Sequence, residues 1–106
     1  MNTTEFDFKD GQGPVPAHKH PRGGGWVANT AYVADTVYIG PDARVFDKAF
    51  VCGNARISGE ARVCGQAVVS GYAIVLGTAI VGGTAEVAEN ARVGEDTRIG
   101  DGRVIE

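Results

Sequence analysis

Two histidines, His18 and His20, are the only imidazoles in the chain, and they stand one residue apart in "PAHKHP". In an extended segment this spacing turns both rings to one side, where they could hold a metal. No third or fourth ligand stands near them, so no metal or other cofactor is expected, and two ordinary loop histidines are the simpler reading. Two cysteines, Cys52 and Cys64, belong to no CxxC motif and form no disulfide framework. They read as small, half-buried residues in a reducing cytosol. Carboxylates Asp35, Asp42, Asp47, Glu60, Glu89, Glu95, Asp96 and Asp101 fall among turn residues, where solvation accounts for them. General-base work near neutral pH points to histidine first, and none lies beyond residue 25.

The elements that would position these groups follow from a repeat. From Trp26 the chain divides without insertion into 13 hexads over residues 26–103: WVANTA, YVADTV, YIGPDA, RVFDKA, FVCGNA, and so on to RIGDGR. The second place is Val or Ile every time, from Val27 through Val51 and Val75 to Ile99, and the sixth is Ala in ten of the 13. Period six does not fit a helix of about 3.6 residues per turn. It fits a short strand plus a turn. Side chains alternate along a strand, so if the aliphatic points inward, the Ala two residues before it does too, and the residues on either side face outward. The remaining places hold Gly-Asn, Gly-Glu, Asp-Lys or Pro-Asp, which is turn chemistry. One hexad is one side of a coil, three sides make 18 residues, and coils stack at about 4.8 Å. Thirteen hexads predict a little over four coils around a continuous Val/Ile column. The glycines of "GYAIVLGTAIVGGT" follow the same period and do not form a phosphate-binding loop.

In this pattern the chain resembles the hexapeptide-repeat superfamily. Val81-Gly82-Gly83-Thr84-Ala85-Glu86 and Val93-Gly94-Glu95-Asp96-Thr97-Arg98 carry the likeness: an aliphatic, a small or acidic residue, two free places, a small residue and another free place. The resemblance implies an all-β, left-handed parallel β-helix in the form of a triangular prism. It also implies a homotrimer of parallel prisms. Many relatives of that kind are acyltransferases with a catalytic His near a subunit interface and a long loop interrupting the hexads. Others are γ-class carbonic anhydrases with three His on zinc. Neither pattern is present in residues 26–106. An acyltransferase-like enzyme would have to use His18 or His20 at an intersubunit site.

Residues 1–25 do not repeat. "EFDFKD" alternates, which predicts a short strand with Phe6 and Phe8 on one face. "GQGPVPAHKHPRGGG" reads as loop. Because an open β-helix end exposes core and strand edges, this segment is expected to cap residues 26–106, with Phe6, Phe8 and Trp26 over the lowest coil. "GGGWV" is also similar to the opening of short hexapeptide proteins of phages and prophages.

An 18-residue coil sorts the outward residues into columns. One holds Trp26, Arg44, Arg62, Ile80 and Arg98, with Phe46 and Cys64 beside them; another holds Tyr38, Arg56, Ile74 and Arg92, with Leu76. The third holds Tyr32, Phe50, Val68, Glu86 and Val104, flanked by Ala34, Cys52, Ser70 and Ala88, with one charge among the nine. A flat apolar face of this kind favours association, and Tyr32, Phe50, Cys52, Val68 and Val104 are the expected interface of a homotrimer or the docking face of another protein.

The net charge of −3 argues against nucleic-acid binding through a basic surface. The polar start "MNTTEFDFKDGQG" has no basic n-region or apolar h-region, and no apolar run approaches a membrane span, so a cytoplasmic protein is expected. Three functions are compatible with this sequence. The first is a non-catalytic structural or protein-interaction module. The second is the acyltransferase-like enzyme. The third is a phage-type accessory protein that binds and blocks a host defence factor. Uninterrupted regularity favours the first.

Overall fold

The computed structural model describes residues 5–8, 13–94, 97–100 and 104–105, the last two through their backbone pairing. The described elements are all strands. They are β1 (Glu5–Asp7), β2 (Pro14–Lys19), β3 (Trp26–Ala28), β4 (Tyr32–Val33), β5 (Tyr38–Ile39), β6 (Arg44–Val45), β7 (Phe50–Val51) and β8 (Arg56–Ile57). There follow β9 (Arg62–Val63), β10 (Val68–Val69), β11 (Ile74–Val75), β12 (Ile80–Val81), β13 (Glu86–Val87), β14 (Arg92–Val93), β15 (Arg98–Ile99) and β16 (Val104–Ile105). From β3 onward each strand starts six residues after the last, as the hexads require.

Three sheets result. The first runs β1-β2-β3-β6-β9-β12-β15, the second β5-β8-β11-β14, and the third β4-β7-β10-β13-β16. Within the repeats all pairing is parallel at an offset of 18 residues, such as Tyr32↔Phe50 and Val51↔Val69. The fold is therefore a parallel β-solenoid of about four turns. First-place N–H groups donate to carbonyls of the next coil: Tyr32 to Ala49, Phe50 to Ala67 and Val68 to Ala85, each at 2.9 Å.

The inward residues are those expected from the repeat. Val27, Ile39, Val45, Val51, Ile57, Val63, Val69, Val75, Val81 and Val87 have no exposed surface, and the sixth-place alanines from Ala43 to Ala85 are buried beside them. β-Branched side chains suit this flat stacking because one rotamer serves on every rung. At the corners the chain turns through left-handed glycines such as Gly71, φ +66°, whose added Cβ would come within 2.8 Å of the Glu89 nitrogen on the coil above. Among the described residues two that are not glycine share this conformation, Asp47 and Glu89. Asp47 compensates by accepting the Gly65 N–H on its Oδ2 at 3.1 Å.

The described part of the non-repeating segment holds more strand than its composition suggests. Phe6 lies in the predicted strand β1, but the Pro-rich stretch expected to be loop contains β2, antiparallel to both β1 and β3. Proline is tolerated where its missing N–H costs no ladder bond, and Pro16 still accepts the Asn29 N–H through its carbonyl at 2.9 Å. Residues 20–25 then form a rung under β5: the Ile39 N–H donates to the Arg22 carbonyl and the Gly25 N–H to the Ile39 carbonyl, both at 3.0 Å. The approach is so close that a Cβ on Gly25 would sit 2.2 Å from Ile39 Cγ2. This contact explains the third glycine of "GGGWV" in physical terms. Among the described residues no helix is long and apolar enough to cross a membrane.

Candidate interaction faces

The outward column of the third sheet begins with an aromatic pair. Tyr32 and Phe50 occupy in-register places on β4 and β7, and their rings stack with centroids 4.8 Å apart and planes 26° from parallel. Parallel in-register pairing brings identical places one rung apart, which is ring-stacking distance. Both remain well exposed, Tyr32 at 52% and Phe50 at 43%. Val68 on β10 continues the column half-buried, with Cys52 and Ser70 half-buried alongside. Glu86 on β13 is the first charge on the column, and Val104 belongs to β16, with its side chain outside the described residues. β4 ends its sheet and inward Val33 is only partly buried, whereas its counterparts Val51, Val69 and Val87 are fully buried. The lowest rung thus leaves this side of the core least covered among the described residues.

The first sheet starts with equally apolar outward residues but has a cover. Phe6 stacks on Trp26 at 4.6 Å, Phe8 on Phe46 at 4.9 Å, and Phe6 meets Phe8 edge-on at 4.9 Å. Val15, Ala17 and Ala28 complete this second apolar cluster. Phe8 falls to 1% exposure and Phe46 to 5%. The Arg44 guanidinium sits over Phe6 at 5.1 Å, and the Lys19 ammonium over Trp26 at 5.6 Å. Phe6, Phe8 and Trp26 therefore come together, with Phe46 as a partner that its place beside the Arg column gave little reason to expect. On the second sheet Arg56 covers Tyr38 in the same manner at 5.6 Å.

The two histidines go to different surroundings. His18 is exposed, its Nδ1 2.7 Å from Asn29 Oδ1. His20 is 3% exposed, and its Nε2 donates to the Val37 carbonyl at 2.6 Å. Its backbone also closes the turn, accepting from Gly24 and donating to Gly25. His20 is a structural ligand of the backbone, held where a substrate cannot reach it. The burial could not be read from "HKH", because it depends on the rung beneath β5. Among the described residues no group of three or more His, Cys, Asp or Glu is arranged to hold a metal ion. Cys52 follows β7 of the third sheet and Cys64 follows β9 of the first, both as half-buried thiols outside any disulfide. Asp42 and Glu60 are exposed turn residues, as expected; Glu95, Asp96 and Asp101 lie outside the described residues.

The arrangement offers surfaces for association and no assembled acid–base pair with a nucleophile among the described residues. In comparisons with known families, curated proteins and solved structures, nothing matches this chain.

Proposed function

We propose that this protein is a non-catalytic structural or protein-interaction module, a left-handed β-helix of the hexapeptide-repeat type, that assembles as a homotrimer through its third sheet. The observation that carries this reading is the exposed Tyr32–Phe50 stack at the head of a column with little charge. Large aromatics held rigid in a flat sheet lose little entropy on docking, and burying them removes apolar surface from water. A cyclic trimer uses one face of each copy and closes on itself, so the same column is covered in all three. The burial of His20 and the hydrogen bond of His18 to Asn29 give the acyltransferase-like alternative no support.

Light scattering on a sizing column tests the proposal. The expected mass is three times the 11.0 kDa of one chain. Phe50→Glu and Val68→Glu each place a carboxylate in the apolar column and should give the single-chain mass. An unchanged trimer in both variants would exclude this interface. A monomeric wild type would reassign the same face to a different protein partner.

A further inference from the structure

The corner joining the second sheet to the first is the one corner that the third sheet does not border. Here a half-open cleft of about 550 Å³ is lined by Asp42, Arg44, Glu60, Arg62, Ile80 and Arg98 among others. Its size is that of a small-molecule site. Its charges are arranged unusually. In-register pairing sets Arg44 beside Arg62, and Arg98 beside Ile80 one rung further on. Rungs are about 4.8 Å apart, so Arg44 and Arg62 are nearest neighbours of like charge, and Arg98 stands two rungs from Arg62. Like charges directly opposite one another in a sheet are destabilising. The second sheet avoids this by placing Ile74 between Arg56 and Arg92.

The Arg44 guanidinium is held over the Phe6 ring. Arg62 is half-buried, and among the described residues no carboxylate lies within ion-pair distance of it. Asp42 and Glu60 occupy the same cleft, in the turn that precedes these arginines. The lining therefore combines a strand row of Arg44, Arg62, Ile80 and Arg98 with the turn carboxylates Asp42 and Glu60 that precede it.

We propose that this cleft binds a small hydroxylated organic phosphate, such as a sugar phosphate or a mononucleotide. The phosphate bridges Arg44 and Arg62, with Arg98 completing the cationic wall. Planar guanidinium groups give phosphate two parallel N–H···O bonds, and a shared anion removes the repulsion between neighbouring rungs. The carboxylates of Asp42 and Glu60 accept hydrogen bonds from the ligand's hydroxyl groups. They also repel a second anionic group, which separates this ligand from a long polyanion such as RNA, as does the net charge of −3. The cleft lies away from the proposed trimer face, so the two proposals fail independently.

Calorimetric titration of the full chain at physiological salt tests the assignment, with ribose 5-phosphate, AMP, inorganic phosphate and ribose as separate titrants. Saturable binding of ribose 5-phosphate and AMP is expected, with inorganic phosphate weaker and ribose alone giving no heat. Arg62→Gln and Arg98→Gln should each weaken binding about tenfold or more. Arg56→Gln, on the second sheet, should leave it unchanged. Glu60→Gln should bring ribose 5-phosphate and inorganic phosphate closer in affinity. Circular dichroism confirms that each variant is folded. Absence of binding by both ribose 5-phosphate and AMP at millimolar concentration would overturn the proposal. So would equal affinity in the folded Arg62→Gln and Arg98→Gln variants, or saturable binding of an oligonucleotide alone.

Discussion

The first and third sheets begin with the same chemistry and end in opposite states. Each presents outward aromatics in the lowest coils: Trp26 and Phe46 on or beside one, Tyr32 and Phe50 on the other. On the first sheet the hairpin of β1 and β2 supplies Phe6 and Phe8, and Phe46 is reduced to 5% exposure. On the third sheet no described element supplies a counterpart, and Tyr32 and Phe50 keep about half of their surface in water. The contrast separates two roles for one residue type. Aromatics covered from within the chain stabilise the monomer. Aromatics left uncovered by the chain, such as Tyr32 and Phe50, are the ones that the proposed assembly would bury.

The sharpest way to break the comparison is to delete one phenyl ring from each region. Phe8→Ala removes a fully buried ring and should cost about 3–5 kcal/mol of folding stability. Phe50→Ala in dilute protein should cost only about 1–2 kcal/mol, because nearly half of the side chain is already in water. Thermal unfolding of both variants in parallel measures the difference, and equal losses would dissolve the distinction between the two regions. Next in size is Gly25→Ala, which drives a methyl group into Ile39 under the second sheet. It should cost about 1–3 kcal/mol by overpacking, as read from the denaturant midpoint. A Gly13→Ala control meets nothing within 4 Å, although its φ of +73° carries a smaller conformational penalty. Smallest are the cation–π covers. Arg44→Gln should lose about 0.5–1 kcal/mol through Phe6, and Arg56→Gln a similar amount through Tyr38. A gain in stability with Arg44→Gln would mean that repulsion from Arg62 outweighs the ring contact, which would sharpen the case for an anion between those two arginines.

Most of the fold was legible because the repeat is its own register. A Val or Ile at every second place leaves one strand phase in which the aliphatics all meet, and slipping it by one residue would turn that set outward. The same arithmetic places Tyr32 beside Phe50 and Arg44 beside Arg62, as the in-register strands do. The Pro-rich stretch reads as loop in the sequence because its strand is specified by the neighbours β1 and β3, not by its own propensities. Phe46 showed no sign of its partner for a related reason: Phe8 reaches it from a segment outside the repeat.

By itself, the sequence determined the solenoid, its 18-residue coil, the inward column and the make-up of each outward column. These depend on local periodicity repeated until only one stacking satisfies it. The tertiary structure decided which of the aromatic-headed faces is covered, where His20 is buried, and that residues 20–25 form a rung. Those outcomes rest on contacts between the unrepeated segment and the coils, and their free energy arises from packing partners that no periodicity relates.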